Sequence, residues 1–251
     1  MKQLLIYEQP LALNRLTHRH LRIKPVPTNY AFARGLNSVP LTTTEFAPAA
    51  RNYPIVFTGD ADKASMPAVL LGLLRDDNLF VEDDSQWAAQ AYVPAFLRRY
   101  PFVVANQEST GEAAAAAFTV CVDMPVVTQS DDGIKLFEDS GENAPALEHA
   151  LGFLAEYQRA AERTQAFMQQ LRDSKLLVTK TIRVERAGTE PHTLNGFSVV
   201  DEEKLQKLGG KALEKLSRTG ALGLIYAHLM SLSNVSLLSA RFDTRSAALK
   251  H

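Results

Sequence analysis

The sequence predicts an α+β fold, a mixed or antiparallel β-sheet packed against a long helix and C-terminal helices. Three observations lead there. Through residue 144, short apolar runs rich in β-formers alternate with proline and glycine; after Pro145 one apolar stripe recurs at helical spacing; near the C-terminus an alternating pair of segments precedes two helical patterns. The expectation is one domain over 1–251, with a β-rich half at about 1–144 and a helix-rich half at about 145–240.

In chain order, the β-forming runs are Leu21 to Val26, Tyr53 to Thr58, Ala68 to Leu73, Phe102 to Ala105 and Phe118 to Val122. Pro25, Pro27, Pro40, Pro48, Pro54, Pro67, Pro94 and Pro101 limit any helix among them to short pieces. The best such piece is Ser85 to Tyr100, ended or kinked by Pro94. After Pro145, Leu147, Leu151, Leu154, Tyr157, Ala161, Thr164, Phe167, Met168 and Leu171 share one face of a helix of about seven turns. Leu176 to Glu185 then alternates like a strand, a turn containing Gly188 follows, and Thr193 to Val200 reads as the hairpin partner. Asp201 is placed to N-cap a helix running to about Arg218, with Glu202 and Glu203 in its first turn where the helix dipole favours negative charge. After Gly220 a last apolar helix extends through Leu232.

Composition narrows the function classes. Lys and Arg number 27 against 28 Asp and Glu, so a net charge of −1 supplies no field to attract a phosphate backbone, and nucleic acid is not an expected partner. The single cysteine, Cys121, excludes an intrachain disulfide and multi-cysteine metal sites, and it lies in the apolar run Phe118-Thr119-Val120-Cys121-Val122 as a core residue. The start of the sequence carries one lysine and an apolar run broken by Glu8, too short for a signal-peptide core. The most apolar stretch, Ala221 to Leu238, is interrupted by His228, Asn234 and serines, so no membrane insertion is expected. A cytoplasmic protein is the resulting expectation.

The phosphate-loop, dinucleotide, nucleophile-elbow and His-Glu-x-x-His patterns are all missing. Smaller constellations remain. His18 and His20 form a His-x-His pair, which on a strand points both imidazoles to one face as some metal sites require; a third ligand from Glu45, Asp60, Asp62 or His228 would complete it, while Arg19 and Arg22 oppose a cation. The other reading of the pair is polar residues leading into a strand. Tyr92, Arg98, Arg99 and Tyr100 offer planar guanidinium groups and aromatic rings to a carboxylate- or phosphate-bearing ligand, or else form an aromatic packing corner. Asp76, Asp77, Glu82, Asp83 and Asp84 bracket Leu79-Phe80-Val81 without the spacing of an EF-hand loop, and read as turns. His228, among Leu224, Ile225, Leu229 and Leu232, is a core histidine or, if the protein is an enzyme, the candidate catalytic group.

A set of motifs in order along about nine tenths of the chain resembles the SapC family. They are Tyr30-Ala31-Phe32-Ala33 with Asn37 and Val39-Pro40-Leu41; Glu45-Phe46; Tyr53-Pro54-Ile55-Val56-Phe57; Leu70-Leu71-Gly72-Leu73 leading to Asn78-Leu79-Phe80; Trp87; Tyr92 to Phe102; and His228-Leu229-Met230-Ser231-Leu232. The family takes its name from a protein associated with a bacterial surface layer, and the resemblance implies a link to surface-layer or nutrient-uptake systems without supplying a reaction or a cofactor. Two expectations follow. One is a non-catalytic binding or accessory protein that takes a protein or peptide partner or a small ligand; the alternative is a metal-assisted enzyme that uses His18, His20 and His228.

Overall fold

The protein is seen in a computed structural model that describes residues 6–24, 29–106, 118–184 and 192–248. Its strands are β1 (Pro10–Ala12), β2 (Arg22–Ile23), β3 (Ser38–Pro40), β4 (Ile55–Thr58), β5 (Pro67–Leu70), β6 (Phe102–Asn106), β7 (Phe118–Asp123), β8 (Val127–Thr128), β9 (Ile134–Lys135), β10 (Leu177–Val184) and β11 (His192–Val200). Its α-helices are α1 (Phe46–Ala49), α2 (Ala95–Arg98), α3 (Pro145–Asp173), α4 (Glu202–Gln206), α5 (Gly210–Arg218), α6 (Ala221–Ser231) and α7 (Asn234–Ala248). The fold class is α+β, and every strand pair is antiparallel.

The chain forms two compact units, one from Met1–Asn29 and Leu97–Gln158, the other from Tyr30–Phe96 and Arg159–His251. They do not follow the β-rich and helix-rich halves, because each unit draws on both. The first holds two three-stranded sheets, β1-β7-β6 and β8-β2-β9. Ile23, Phe102, Val122, Leu136 and Phe137 are buried there with Leu147 and Leu154 of α3, so the helical stripe read from the sequence supplies one wall of this core. Cys121 is buried, and burial raises its thiol pKa, as befits a packing residue.

The second unit is built on the sheet β10-β11-β4-β5-β3. All four residues of β5 are buried, as a continuous apolar run in the interior of a covered sheet requires. Pro67 opens that strand and Pro40 closes the edge strand β3, the positions where a missing N–H is tolerated. The C-terminal part of α3 brings Phe167 edge-on to Phe46, with ring centroids 5.7 Å apart, and 6.3 Å from Phe57 of β4. Asp201 caps α4 as expected, accepting from the Lys204 N–H at 3.2 Å.

Three elements differ from the sequence reading. Residues 85–94 are not helical; Ser85 and Gln90 have φ of +66° and +64°, outside the right-handed helical region, Trp87 is pinned by its indole, and only α2 follows Pro94. The helix expected to reach Arg218 breaks at Gly209, which is extended at φ −64°, ψ 148° and starts α5; two adjacent glycines lower helix propensity enough for the break. The chain also does not stop being helical at Leu232. Asn234 donates to the Ala50 carbonyl at 2.7 Å and the Tyr53 carbonyl at 3.1 Å, and α7 continues from it. By length and composition Ala221–Ala247 would suffice to cross a membrane, but core helices pass the same test, and His228 and Ser231 within it are buried and hydrogen-bonded to the sheet. The Gly188 turn, Pro25 to Val26 of the first expected strand and its neighbour Pro27 lie outside the described residues.

Candidate functional site

In the second unit, the family-like residues form one hydrogen-bonded frame around Glu45. This carboxylate is buried and takes four donors: the Tyr92 hydroxyl at 3.0 Å and the Ala95 N–H at 2.6 Å on Oε1, and the Thr42 N–H at 3.0 Å and hydroxyl at 2.8 Å on Oε2. Local sequence sets this up, since Thr42 and Glu45 make a capping box at the start of a short helical turn. The Trp87 indole N–H donates to Tyr53 Oη at 3.0 Å, Tyr53 donates onward to the Tyr92 carbonyl, and the Tyr92 N–H donates to Asn52 Oδ1 at 3.1 Å. Burial raises the Tyr53 phenol well above its ordinary pKa, so it stays a neutral donor in this chain. Tyr92, a candidate ligand contact by sequence, thus has its hydroxyl and its N–H engaged in holding the loop that carries Pro94.

His228 occupies the centre of the same unit. Its ring is fully buried and lies 4.7 Å from the Phe57 ring, centroid to centroid. Nε2 accepts from the Val200 N–H at 3.0 Å, so Nδ1 carries the proton and donates to the Ile55 carbonyl at 2.9 Å. One turn on, Ser231 Oγ accepts from the Ile55 N–H at 2.9 Å and donates to the His228 carbonyl. Burial lowers the imidazole pKa from 6.5 to about 4, with the Ile55 hydrogen bond pulling the other way. The neutral imidazole therefore staples α6 to β4 and to the end of β11, with both ring nitrogens occupied.

In the first unit, Arg98 is exposed with its guanidinium 5.3 Å from the Phe153 ring centroid. Arg99 is half-buried and lies 5.2 Å from the Tyr157 ring and 5.7 Å from the Tyr7 ring. Tyr7 donates to the Phe102 carbonyl at 2.7 Å, and its ring sits 5.8 Å from that of Tyr100. The pKa of Tyr100 is pushed up to about 12, by burial first and then by the neighbouring Asp123 carboxylate. Asp123 itself is buried and accepts the Glu8 and Gln9 N–H groups at 3.0 and 2.8 Å, which ties the first residues of this unit to the end of β7. Of the expected ligand contacts, the structure thus gathers Arg99 and Tyr100 with Tyr7, Tyr157 and Asp123, which sequence spacing could not have connected.

The His-x-His pair lies in the turn around Arg15–His20 and not on a strand, so the same-face argument does not apply to it. His18 Nδ1 accepts the Asn14 N–H at 3.1 Å, and His20 is exposed. Among the described residues no group of three or more His, Cys, Asp or Glu is arranged to hold a metal ion. Asp77 of the acidic run is 3.6 Å from Arg245, and Asp84 accepts the Gln86 N–H at 2.9 Å, as turn residues do. An open cavity of about 390 Å³, bordered by Leu73, Arg183, Val235, Phe242 and Asp243, was invisible in the sequence because its walls come from three distant segments.

No curated protein and no solved structure matches the chain. The SapC family profile matches residues 13–238, a span that takes in the Glu45 frame, the arginine cluster and His228. With the match covering most of its length, the chain belongs to the SapC family.

Proposed function

We propose that this SapC-family chain is a non-catalytic binding or accessory protein of the cytoplasm, serving a bacterial surface-layer or nutrient-uptake system. In this reading it takes an anionic segment of a polypeptide, or a small carboxylate-bearing ligand, at the face marked by Arg98. The observation that supports it is the placement of Arg98: exposed, at the end of α2, with its guanidinium over the Phe153 ring, 5.3 Å from the centroid. A cation–π contact restrains the guanidinium, and a restrained side chain loses less entropy when it engages a carboxylate. Arg99 and Tyr100, packed against Tyr7 and Asp123, form the rigid base beside it. Tyr92, in the other unit, holds its own loop.

Calorimetric titration of the full chain with a short Glu- and Asp-rich peptide, and separately with citrate, tests the reading. A charge-assisted bidentate contact predicts roughly a tenfold loss of affinity on Arg98→Ala and a larger loss on Arg98→Glu, both in proteins that keep the wild-type circular dichroism spectrum. Equal affinity in all three proteins, or no heat with either probe, would refute it.

A further inference from the structure

The cavity of about 390 Å³ in the second unit is lined by a division of donors and acceptors that the Arg98 face does not use. Val235, Ser239 and Asp243 stand at i, i+4 and i+8 on one face of α7 and make one wall of it. The arginines on either side of Asp243 serve the other face of the helix. Arg241 lies over the Phe80 ring, 4.5 Å from its centroid, and 3.8 Å from Glu82, while Arg245 donates to the Asn78 and Val81 carbonyls at 2.7 and 2.8 Å. Asp243 borders the cavity, and among the described residues it makes no hydrogen bond or ion pair. Ser239 Oγ gives its proton to the Val235 carbonyl at 3.0 Å, so for a ligand it can only accept. From β10 comes Arg183, whose guanidinium has N–H donors and no acceptor. The rest of the lining, Leu73, Ile182 and Phe242, is apolar, with Leu73 and Phe242 buried.

We propose that this cavity binds a free α-amino acid with an apolar side chain, of the size of leucine or phenylalanine. Its polar groups select that class. The acceptors, Asp243 and Ser239, sit on α7 and suit an ammonium group, which has three N–H donors and no acceptor. The donors of Arg183 come from β10 and suit a carboxylate. Leu73, Ile182, Val235 and Phe242 then take the side chain. Other ligand classes fit worse. A phosphate or a fatty acid sets negative charge beside Asp243, a simple amine leaves Arg183 unused, and an uncharged apolar molecule strips water from both charges without replacing it. The volume lies within the roughly 300–1,000 Å³ of small-molecule sites.

Equilibrium dialysis of the full chain against radiolabelled leucine and phenylalanine tests the proposal. Saturable binding of one amino acid per chain is expected, with a dissociation constant on the order of 100 micromolar for a ligand of this size. Isoamylamine, which lacks the carboxylate, and isocaproate, which lacks the ammonium, should compete at least about tenfold more weakly than leucine. Asp243→Asn should weaken leucine about tenfold without weakening isocaproate, and Arg183→Gln should weaken leucine about tenfold without weakening isoamylamine. Both side chains are exposed, so each variant should keep the wild-type circular dichroism spectrum. No saturable binding of either amino acid overturns the proposal. Leucine binding that neither substitution weakens overturns it as well, because the ligand then sits elsewhere. Competition by isoamylamine or isocaproate as strong as that of leucine overturns the zwitterion, since a single charged contact would then suffice.

Discussion

Replacing His228 by Phe separates a structural imidazole from a chemical one. The ring volume and the contact with Phe57 are kept, while the Ile55 carbonyl and the Val200 N–H lose their partners in a fully buried site. Each stranded backbone group costs about 1–3 kcal/mol, so the variant should lose about 4 kcal/mol, a large share of the stability of an ordinary domain. The pH dependence supplies a second, independent signature. The folded-state pKa near 4 lies below the ordinary 6.5, so between these values the unfolded chain binds a proton that the native protein does not. Stability from this group is therefore complete above about pH 6.5 and falls as the pH drops toward 4, by a total of about 3 kcal/mol. Urea unfolding of wild type and variant at pH 7.5 and pH 5.0 measures it: the drop on acidification should be about 2 kcal/mol larger in the wild type, the other titrating groups being common to both. His228→Asn, which can still donate to the Ile55 carbonyl, should fall between the two. Equal acid sensitivity of wild type and His228→Phe would refute the buried neutral imidazole, and so would a loss below about 1 kcal/mol at pH 7.5.

The other expectations concern the Glu45 frame, the tight turn beyond β5 and the Arg98 surface. Glu45→Ala strands four donors, two of them backbone N–H groups, and should cost about 3 kcal/mol in chemical denaturation; a loss under about 1 kcal/mol would mean that water replaces the carboxylate without penalty. At Gly72 an added methyl group would sit 1.8 Å from the Asp77 carbonyl oxygen, so Gly72→Ala must move backbone and should destabilise by at least about 2 kcal/mol, which a thermal melt would register. Arg98→Ala should lower affinity for an acidic peptide roughly tenfold while the circular dichroism spectrum keeps its shape.

Much of the architecture was legible in sequence because it rests on local or periodic signals. The stripe from Leu147 to Leu171 specified α3, since a 3.6-residue period of apolar side chains can be buried only by a helix lying against a core. Alternation specified β10 and β11, Asp201 announced its cap, and the β-branched and aromatic runs placed β4, β6 and β7 to within a few residues. The errors fall where a local signal was overruled at a distance. Residues 85–94 carry helix-compatible side chains, yet the Trp87 indole finds a hydrogen-bond partner in Tyr53, 34 positions earlier, and that bond together with left-handed Ser85 and Gln90 holds the segment as a loop. The last helix was expected to extend only through Leu232, yet carbonyls of Ala50 and Tyr53 use the Asn234 amide and the chain resumes as α7.

The candidate site divides along the same line. By itself the sequence determined the family, the α+β class, the chemical identity of the Arg98, Arg99, Tyr92 and Tyr100 group, and the apolar setting of His228, because each of these is a property of residue type and order. Only the tertiary structure decided what those residues touch. It set Arg98 on Phe153 and Arg99 between Tyr7 and Tyr157, gave the Tyr92 hydroxyl to Glu45, put His18 and His20 in a turn, and assigned both nitrogens of His228 to backbone groups 28 and 173 positions away. The physical reason is range: propensity and periodicity act within one element, whereas a buried polar side chain is committed by whichever donor or acceptor the folded chain brings within 3 Å, and no pattern in the linear order encodes that meeting.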